Sequence, residues 1–188
     1  CPVDDIIVYR RSARRFLVVV NAANIEKDWH WLLAQQPAGC GLHDLSDQFA
    51  LLALQGPAAR EVMRRVCPAA AQLVFMQGCP GVIDGVDVYI TCSGYTGEDG
   101  FEISVPAAAA EGLARRLLAI EQVQPIGLGA RDSLRLEAGL CLYGHELTTG
   151  IDPVQAGLSW SISKSRRADG ARAGGFPGAA VIFQRRLD

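Results

Sequence analysis

The stretch Ser93-Gly94-Tyr95-Thr96-Gly97-Glu98-Asp99-Gly100-Phe101-Glu102-Ile103-Ser104-Val105 joins a glycine-rich turn to a segment of alternating apolar and polar residues. A glycine at every third residue of the turn lets the backbone adopt positive φ angles and approach a ligand closely. After the turn, apolar residues alternate with Glu102 and Ser104, and this period of two predicts a half-buried strand. Glu102 is therefore predicted to face away from the apolar side of the strand.

The polar groups of this stretch suit a flat heterocyclic ligand. Such a ring could stack on Tyr95 while its paired N–H groups donate to the carboxylate of Glu102. The alternative is a surface hairpin with acidic side chains, because acids and glycines are common in turns. Taken alone, the stretch favours this simpler alternative.

Three further motifs accompany the stretch in a fixed order. They are Asp4-Asp5 near the start, Val20–Asp28 (VNAANIEKD) and Gly127–Leu140 (GLGARDSLRLEAGL). Together with Gly-Tyr-Thr-Gly-Glu-Asp-Gly-Phe-Glu, they make the chain resemble the T-protein of the glycine cleavage system from Asp4 to about Val181. The resemblance implies a tetrahydrofolate-dependent aminomethyltransferase that acts on lipoylated H-protein. It also implies that an N-terminal portion and a C-terminal β-barrel of the family are missing from this chain.

The resemblance assigns a role to five residues. It implies that Asp5 is the catalytic carboxylate, that Asn21 lies in or near the folate site, that Tyr95 and Glu102 hold the pterin ring, and that Arg131 binds the glutamate tail of the folate. A guanidinium suits that tail because it pairs with a carboxylate through two hydrogen bonds.

Each of three assignments has a simpler alternative. Asp5 could be a solvated acid at a strand start, where adjacent acids point to opposite faces. Asn21 could cap the helix that follows it. Arg135 competes with Arg131, because residues four apart share one face of a helix.

The pattern predicts an α+β fold in which antiparallel sheets pack against helices. The resemblance implies that residues 1–163 form a folate-binding core that is incomplete at its N-terminus. It implies that 164–188 are a basic, glycine-rich loop and the start of a helix leading to the absent C-terminal barrel. The predicted strands are 4–9, 16–20, 49–54, 73–76, 86–91, 101–105 and 158–162, with a turn at 78–81. The predicted helices are 22–36, a segment starting at Pro57, a segment starting at Pro106 that buries Leu113, Leu117, Leu118 and Ile120, and 130–140.

Composition narrows the class of protein. The chain is 49% apolar and 20% charged, which is typical of a globular protein with a core. A net charge of −2 without a basic stripe argues against a nucleic-acid partner. Six cysteines without a C-x-x-C pair and three histidines without metal-ligand spacing predict no metal site. The cysteines are predicted to be reduced and buried, because a chain of this size can fold on its core without disulfides. No apolar run approaches the ~18 residues that a membrane span requires.

Two expectations follow from the resemblance rather than from composition. The compartment would be the bacterial cytoplasm, or the mitochondrial matrix in a eukaryote. The alternative function is that of a folate-binding relative, either an iron–sulfur-assembly factor or the folate domain of an enzyme that oxidises sarcosine or dimethylglycine.

Overall fold

A computed structural model describes residues 2–185, which divide into two compact units. The first unit contains the chain up to Ile6, Val20–Leu32 and the chain from Cys141 onwards. The second contains Ile7–Val19 and Leu33–Leu140. The strands are β1 (Ile7–Arg10), β2 (Phe16–Val19), β3 (Phe49–Gln55), β4 (Gly78–Ile83), β5 (Val86–Thr91) and β6 (Gly100–Pro106). The helices are α1 (Ile25–Ala34), α2 (Ala59–Val66), α3 (Ala110–Leu118), α4 (Leu128–Glu137) and α5 (Ala179–Arg185).

The second unit is built on an antiparallel sheet with the strand order β3-β6-β5-β4. Strand β6 is one of the two central strands and carries Glu102, which lies opposite Ala53 of β3 and Thr91 of β5. Strands β1 and β2 form a separate antiparallel hairpin, as the sequence predicts. The predicted α+β class with antiparallel sheets and packed helices is confirmed.

The alternation along β6 sorts its side chains into a core side and an open side. Phe101, Ile103 and Val105 are fully buried, whereas Glu102 and Ser104 are half-buried. The buried residues belong to one core cluster with apolar side chains of α2 and α3. Each such side chain contributes about 1.5–3 kcal/mol when removed from water. Packing therefore fixes β6 firmly and with it the position of Glu102.

Strand β3 is half-buried rather than buried along its whole length. The apolar run 49–54 predicts a strand buried on both faces, but Phe49 and Leu51 are exposed while Leu54 is in the core. An uninterrupted apolar run does not reveal which face is covered, because this depends on the elements that pack on the sheet.

The predicted strand at 73–76 and turn at 78–81 are wrong. Residues 74 and 75 lie in no strand, and β4 begins at Gly78. The turn that matters is Asp84-Gly85, where both residues have positive φ, 49° and 81°. Asp-Gly at the centre of a two-residue hairpin turn matches the twist of the flanking strands. It therefore pairs β4 with β5 along the full length of both strands.

Three further predictions need correction. Residues 159–161 form a 3₁₀ turn rather than a strand, and the Arg167 guanidinium donates to backbone carbonyls of this turn region, which have no strand partner. Leu118 is exposed, because it lies on the outer side of α3. Pro57 precedes the first residue of α2 by two positions instead of starting the helix.

The predicted basic loop is held together by its own arginines. Arg166 donates to the carbonyl of Gly174. Arg167 donates to the carbonyls of Ser159, Trp160 and Ile162. Helix α5 follows, as the sequence from Phe176 onwards predicts. The boundary at residues 163 and 164 stays a prediction.

Within residues 2–185, no helix has the length and hydropathy needed to cross a membrane. The described cysteines carry free thiols, of which those of Cys67 and Cys92 are buried and that of Cys40 is exposed. Cys1 lies outside the described residues.

Candidate functional site

Asn21 is the centre of a hydrogen-bonded cluster in the first unit. Its side-chain Nδ2 donates to Asp4 Oδ1 at 2.9 Å and to Asp5 Oδ1 at 2.5 Å, and its backbone N–H donates to Asp4 Oδ2 at 3.1 Å. Asn24 Nδ2 donates to Asp4 Oδ1 at 2.7 Å. Two amide side chains therefore hold a pair of adjacent carboxylates.

This cluster corrects two of the simpler alternatives. Asn21 precedes a 3₁₀ turn over Ala22–Asn24 that leads into α1, but its side chain makes no capping hydrogen bond. Asp4 and Asp5 both precede β1, so the alternation of a strand does not separate their side chains. Both carboxylates instead meet the same amide group.

The environment of the cluster shifts the pKa values of its two adjacent acids in opposite directions. Burial raises the pKa of Asp5 above its ordinary value, and the Asn21 hydrogen bond opposes this only in part. Burial also acts on Asp4, but hydrogen bonds involving Asp28, Asn21 and Asn24 hold the pKa of Asp4 below its ordinary value. Asp5 is thus the better proton acceptor of the two.

In the second unit, a chain of hydroxyl groups orients Glu102. Ser93 Oγ donates to Glu102 Oε2 at 2.6 Å and lies 2.7 Å from Thr91 Oγ1. Ser93 and Thr91 are both buried, so their side chains are fixed by packing. Ser93 therefore fixes one carboxylate oxygen of Glu102, whose side chain is half-buried. Ser93 was not among the predicted site residues.

Arg131 and Arg135 have different surroundings despite sharing a helix. The Arg131 guanidinium lies over the Tyr95 ring, 4.6 Å from its centroid, and the residue is half-buried. Arg135 is 1% exposed, and its guanidinium donates to Asp132 Oδ1 at 2.7 Å and to the carbonyl of Leu140 at 3.2 Å. The Arg135 guanidinium is therefore used inside the protein.

Gln55 explains why the turn before β6 is rich in glycine. Its side-chain amide donates to the carbonyls of Ser93 and Phe101 at 3.0 and 3.3 Å, which ties the two ends of the turn together. A Cβ atom at Gly94 or Gly100 would overlap this amide. The sequence prediction of positive φ holds for Gly97 alone, at 77°. Two of the three glycines thus make room for a protein side chain.

Sequence reasoning missed Gln55, although a signal was present. A polar residue ends the apolar run of β3 immediately before Gly56. Its partners are 38 and 46 residues away, so only the pairing of β3 with β6 brings them together.

Gly94→Ala is expected to lower the free energy of unfolding by about 1–3 kcal/mol, because the added methyl group overpacks the site and displaces the Gln55 amide. Urea unfolding of the variant and of the wild type measures this difference. Gly112→Ala is the matched control, since nothing lies within 4 Å of its added methyl group and it sits in α3. Alanine is the better helix former, so the control should keep or raise stability.

A double substitution tests whether Gln55 is the cause. Gln55→Ala removes the group that the new methyl would strike, so Gly94→Ala should cost less in the Gln55→Ala background than in the wild type. Equal costs in the two backgrounds would contradict the role given to Gln55.

No group of three or more His, Cys, Asp or Glu within 2–185 could hold a metal ion. A cleft of about 390 Å³ in the second unit is lined by Tyr9, Met76 and Tyr89 among others, and none of the five predicted residues is in its lining. The acidic, amide, hydroxyl and guanidinium groups described above lie in the two clusters and not in this cleft.

Comparison with known proteins decides the family. Residues 2–166 match the family described as GCVT N-terminal domain, a range that contains all five predicted residues. The chain belongs to this family. Aminomethyltransferase of Desulforamulus reducens is 42% identical to it over 166 residues, covering 85% of this chain and 45% of that protein. Aminomethyltransferase of Desulfitobacterium hafniense is 47% identical over 165 residues, with the same two coverages.

A solved structure agrees with the family assignment. The glycine cleavage system aminomethyltransferase T from Bartonella henselae matches with a TM-score of 0.79 and 40% identity, over 98% of this chain and 49% of that one. The predicted resemblance to the T-protein is confirmed. This member of the GCVT family spans about half the length of the relatives that it matches.

Proposed function

We propose that this chain is part of an aminomethyltransferase of the glycine cleavage system. In that reaction, a methylene carbon carried with an amine on the lipoyl sulfur of H-protein is transferred to tetrahydrofolate. The carbon exchanges its bonds to sulfur and to the amine nitrogen for bonds to two folate nitrogens. The two protons that those nitrogens lose end on the sulfur and on the released ammonia.

Similarity to proteins named aminomethyltransferase over about 85% of the chain carries this proposal. The geometry of the two clusters supports a role for each predicted residue. Asp5 is a carboxylate whose pKa burial raises, which makes it a suitable proton acceptor for a folate nitrogen that becomes bonded to carbon. Asn21 orients Asp5 through its amide.

Glu102 and Tyr95 are proposed to bind the pterin ring. A carboxylate held by Ser93 from one side can accept two hydrogen bonds from adjacent N–H groups on the other side. Tyr95 lies in the turn that leads to the same strand. Rigid placement of the folate against the reacting carbon contributes much of the rate in such a transfer, because it removes the entropy cost of the encounter.

Arg131 is proposed to bind the glutamate tail. Its guanidinium stacks on Tyr95, which leaves the edge that carries its N–H groups available for a carboxylate. Arg135 cannot take this role without giving up its bonds to Asp132 and Leu140.

Arg131→Gln is expected to weaken binding of tetrahydrofolate by roughly tenfold, because a charge-assisted pair with the tail carboxylate is lost. Calorimetry with tetrahydrofolate, and with the pterin portion alone, measures the effect. Affinity for the pterin portion should change less than affinity for the whole molecule. Equal losses for both ligands would contradict a role specific to the tail.

The proposed reaction is tested by ammonia release from aminomethylated H-protein. The chain spans half of its relatives' length, so the assay uses a polypeptide of full family length that carries this chain. Ammonia and methylene-tetrahydrofolate should appear in equal amounts, and omission of tetrahydrofolate should slow the reaction strongly. Folate binding without tetrahydrofolate-dependent ammonia release would favour the alternative of a folate-binding relative.

A further inference from the structure

Asp28 of α1 is a buried acid that the proposed mechanism does not use. The residue is 5% exposed, and neither of its carboxylate oxygens receives a hydrogen bond from an N–H or O–H group in the described part of the chain. A buried carboxylate without a donor is unfavourable, because burial disfavours the charged form. One proton on the carboxyl group would remove the charge and supply a donor at the same time.

Asp4 is the carboxylate that neighbours Asp28. The two carboxyl groups lie within side-chain hydrogen-bonding reach of each other. Three N–H groups, two from Asn21 and one from Asn24, already donate to Asp4 and favour its ionised form. A hydrogen bond between two carboxyl groups requires a proton on one of them, and these donors direct it to Asp28.

The charges around Asp28 agree with this position of the proton. Burial raises the pKa of Asp28 to about 6, and the hydrogen bond with Asp4 and the charges of Asp4 and Asp5 act in the same direction. Lys27 opposes them. The Lys27 ammonium donates to the carbonyl of Val3 at 2.6 Å and lies 4.0 Å from the centroid of the Tyr143 ring.

We propose that Asp28 is a positioning residue that shares its proton with Asp4 and thereby keeps Asp4 in the orientation that holds the Asn21 amide against Asp5. The order of contacts is Asp28 to Asp4, Asp4 to Asn21, and Asn21 to Asp5. The consequence for turnover rests on the proposed function of Asp5. The proton shared by the two carboxyl groups can be measured without any activity.

Three variants distinguish the effect of the proton on Asp28 from the effect of the size of its side chain. Asp28→Asn replaces the protonated acid by an amide that can still donate to Asp4 and cannot titrate. Asp28→Leu has a similar size and no donor. Glu26→Gln is the matched control, because it removes an acid from the exposed side of the same helix.

The first experiment is a titration of the 188-residue chain with ¹³C-labelled aspartate carboxyl groups, followed by NMR. One carboxyl carbon should titrate with a midpoint near pH 6 in the wild type and in Glu26→Gln, and this titration should be absent from Asp28→Asn. In Asp4→Asn the midpoint of Asp28 should fall, because the facing charge is gone and an amide donor takes its place. No midpoint near 6 in the wild type, or an unchanged midpoint in Asp4→Asn, would overturn the proposal.

The side-chain NH₂ resonances of Asn21 report the positioning itself. They should stay near their wild-type shifts in Asp28→Asn and move in Asp28→Leu, while backbone resonances of the second unit stay in place. Unchanged Asn21 resonances in a folded Asp28→Leu chain would overturn the positioning role. If Asp28→Leu does not fold, the titrations of the wild type and Asp4→Asn still decide the shared proton. The Asn21 resonances of the wild type then decide the positioning, because they should shift as Asp28 titrates near pH 6 and stay in place over the same range in Asp28→Asn.

Stability against pH gives an independent measurement. The folded chain holds the Asp28 proton up to about pH 6, whereas an unfolded chain releases it near pH 3.9. The contribution of this group is therefore fully present below about pH 4 and is lost as the pH rises through about 6. The urea midpoint of the wild type, relative to that of Asp28→Asn, should be higher at pH 4.5 than at pH 7. A difference that does not change with pH would count against the shared proton.

Turnover measured in the full-length polypeptide tests whether the pair of Asp28 and Asp4 acts through Asp5. Asp28→Leu should lower kcat by roughly tenfold with little change in the KM for tetrahydrofolate, and Asp28→Asn should recover most of this loss. A higher KM for tetrahydrofolate with an unchanged kcat would contradict action through Asp5. If the wild type releases no ammonia, the proposed function fails, and the NMR titration still decides whether Asp28 and Asp4 share a proton.

Discussion

Asp5→Asn is expected to lower kcat for tetrahydrofolate-dependent ammonia release by about 100- to 1,000-fold, a range typical of losing a general base. Asparagine keeps the oxygen that accepts from Asn21 Nδ2, so the side chain should stay in place. It cannot take up a proton, and it carries no charge to stabilise a cationic carbon. The expected loss is therefore in kcat, whereas the affinity for tetrahydrofolate changes by no more than a few-fold.

The pH dependence sharpens this expectation. Burial raises the pKa of Asp5, so the wild-type rate should fall on acidification at a pH above the ordinary value for aspartate, near 3.9. The residual activity of Asp5→Asn should not fall over this pH range. Asp169→Asn is the control, because it makes the same chemical change at an exposed position of the first unit. A kcat for Asp5→Asn within threefold of the wild type would remove Asp5 from the mechanism.

Glu102→Gln is expected to weaken tetrahydrofolate binding by roughly 10- to 100-fold, since one charge-assisted hydrogen bond contributes about 1.5–3 kcal/mol. The amide retains an oxygen that can accept from Ser93 Oγ. Its NH₂ group then faces the N–H donors of the pterin, where the carboxylate presents an acceptor. An attractive contact becomes a repulsive one without a change in the size of the side chain.

Calorimetry with the 188-residue chain and with the full-length polypeptide measures this loss. Glu98→Gln is the matched control, because Glu98 is an exposed acid in the same turn. Ser93→Ala should lie between the control and Glu102→Gln, since it removes the donor that orients Glu102 and leaves the carboxylate itself. An affinity of Glu102→Gln within twofold of the wild type, in a chain with an unchanged circular dichroism spectrum, would exclude Glu102 from the folate contact.

Local patterns predicted the elements that a single segment can specify. The period of two gave β6 with Glu102 on its open side, and the apolar spacing gave α1. The pattern failed where a partner decides the outcome. The segment 158–162 alternates like a strand, yet none of the strands within residues 2–185 pairs with it, and 159–161 form a 3₁₀ turn.

In the candidate site, too, the sequence predicted some features and only the structure showed others. Motifs in the sequence supplied the residue types, and the resemblance assigned them roles that remain proposals for Asp5, Asn21, Tyr95, Glu102 and Arg131. The sequence did not indicate that Ser93 orients Glu102 or that Gln55 fills the space beside Gly94. Gln55 is marked in the sequence as a polar residue at the end of an apolar run, but spacing along the chain does not show which distant residues its side chain meets.

By itself, the sequence determined the α+β class, the family and the positions of most strands and helices, because hydrophobic period and turn chemistry act over a few residues. Only the tertiary structure decided which polar groups meet. Asn21 bridges Asp4 and Asp5 because the chain returns after the β1–β2 hairpin to the residues that precede β1. Asp28 faces Asp4 because α1 begins at that return. Burial then sets the charge of each group, and burial is a property of the packed molecule.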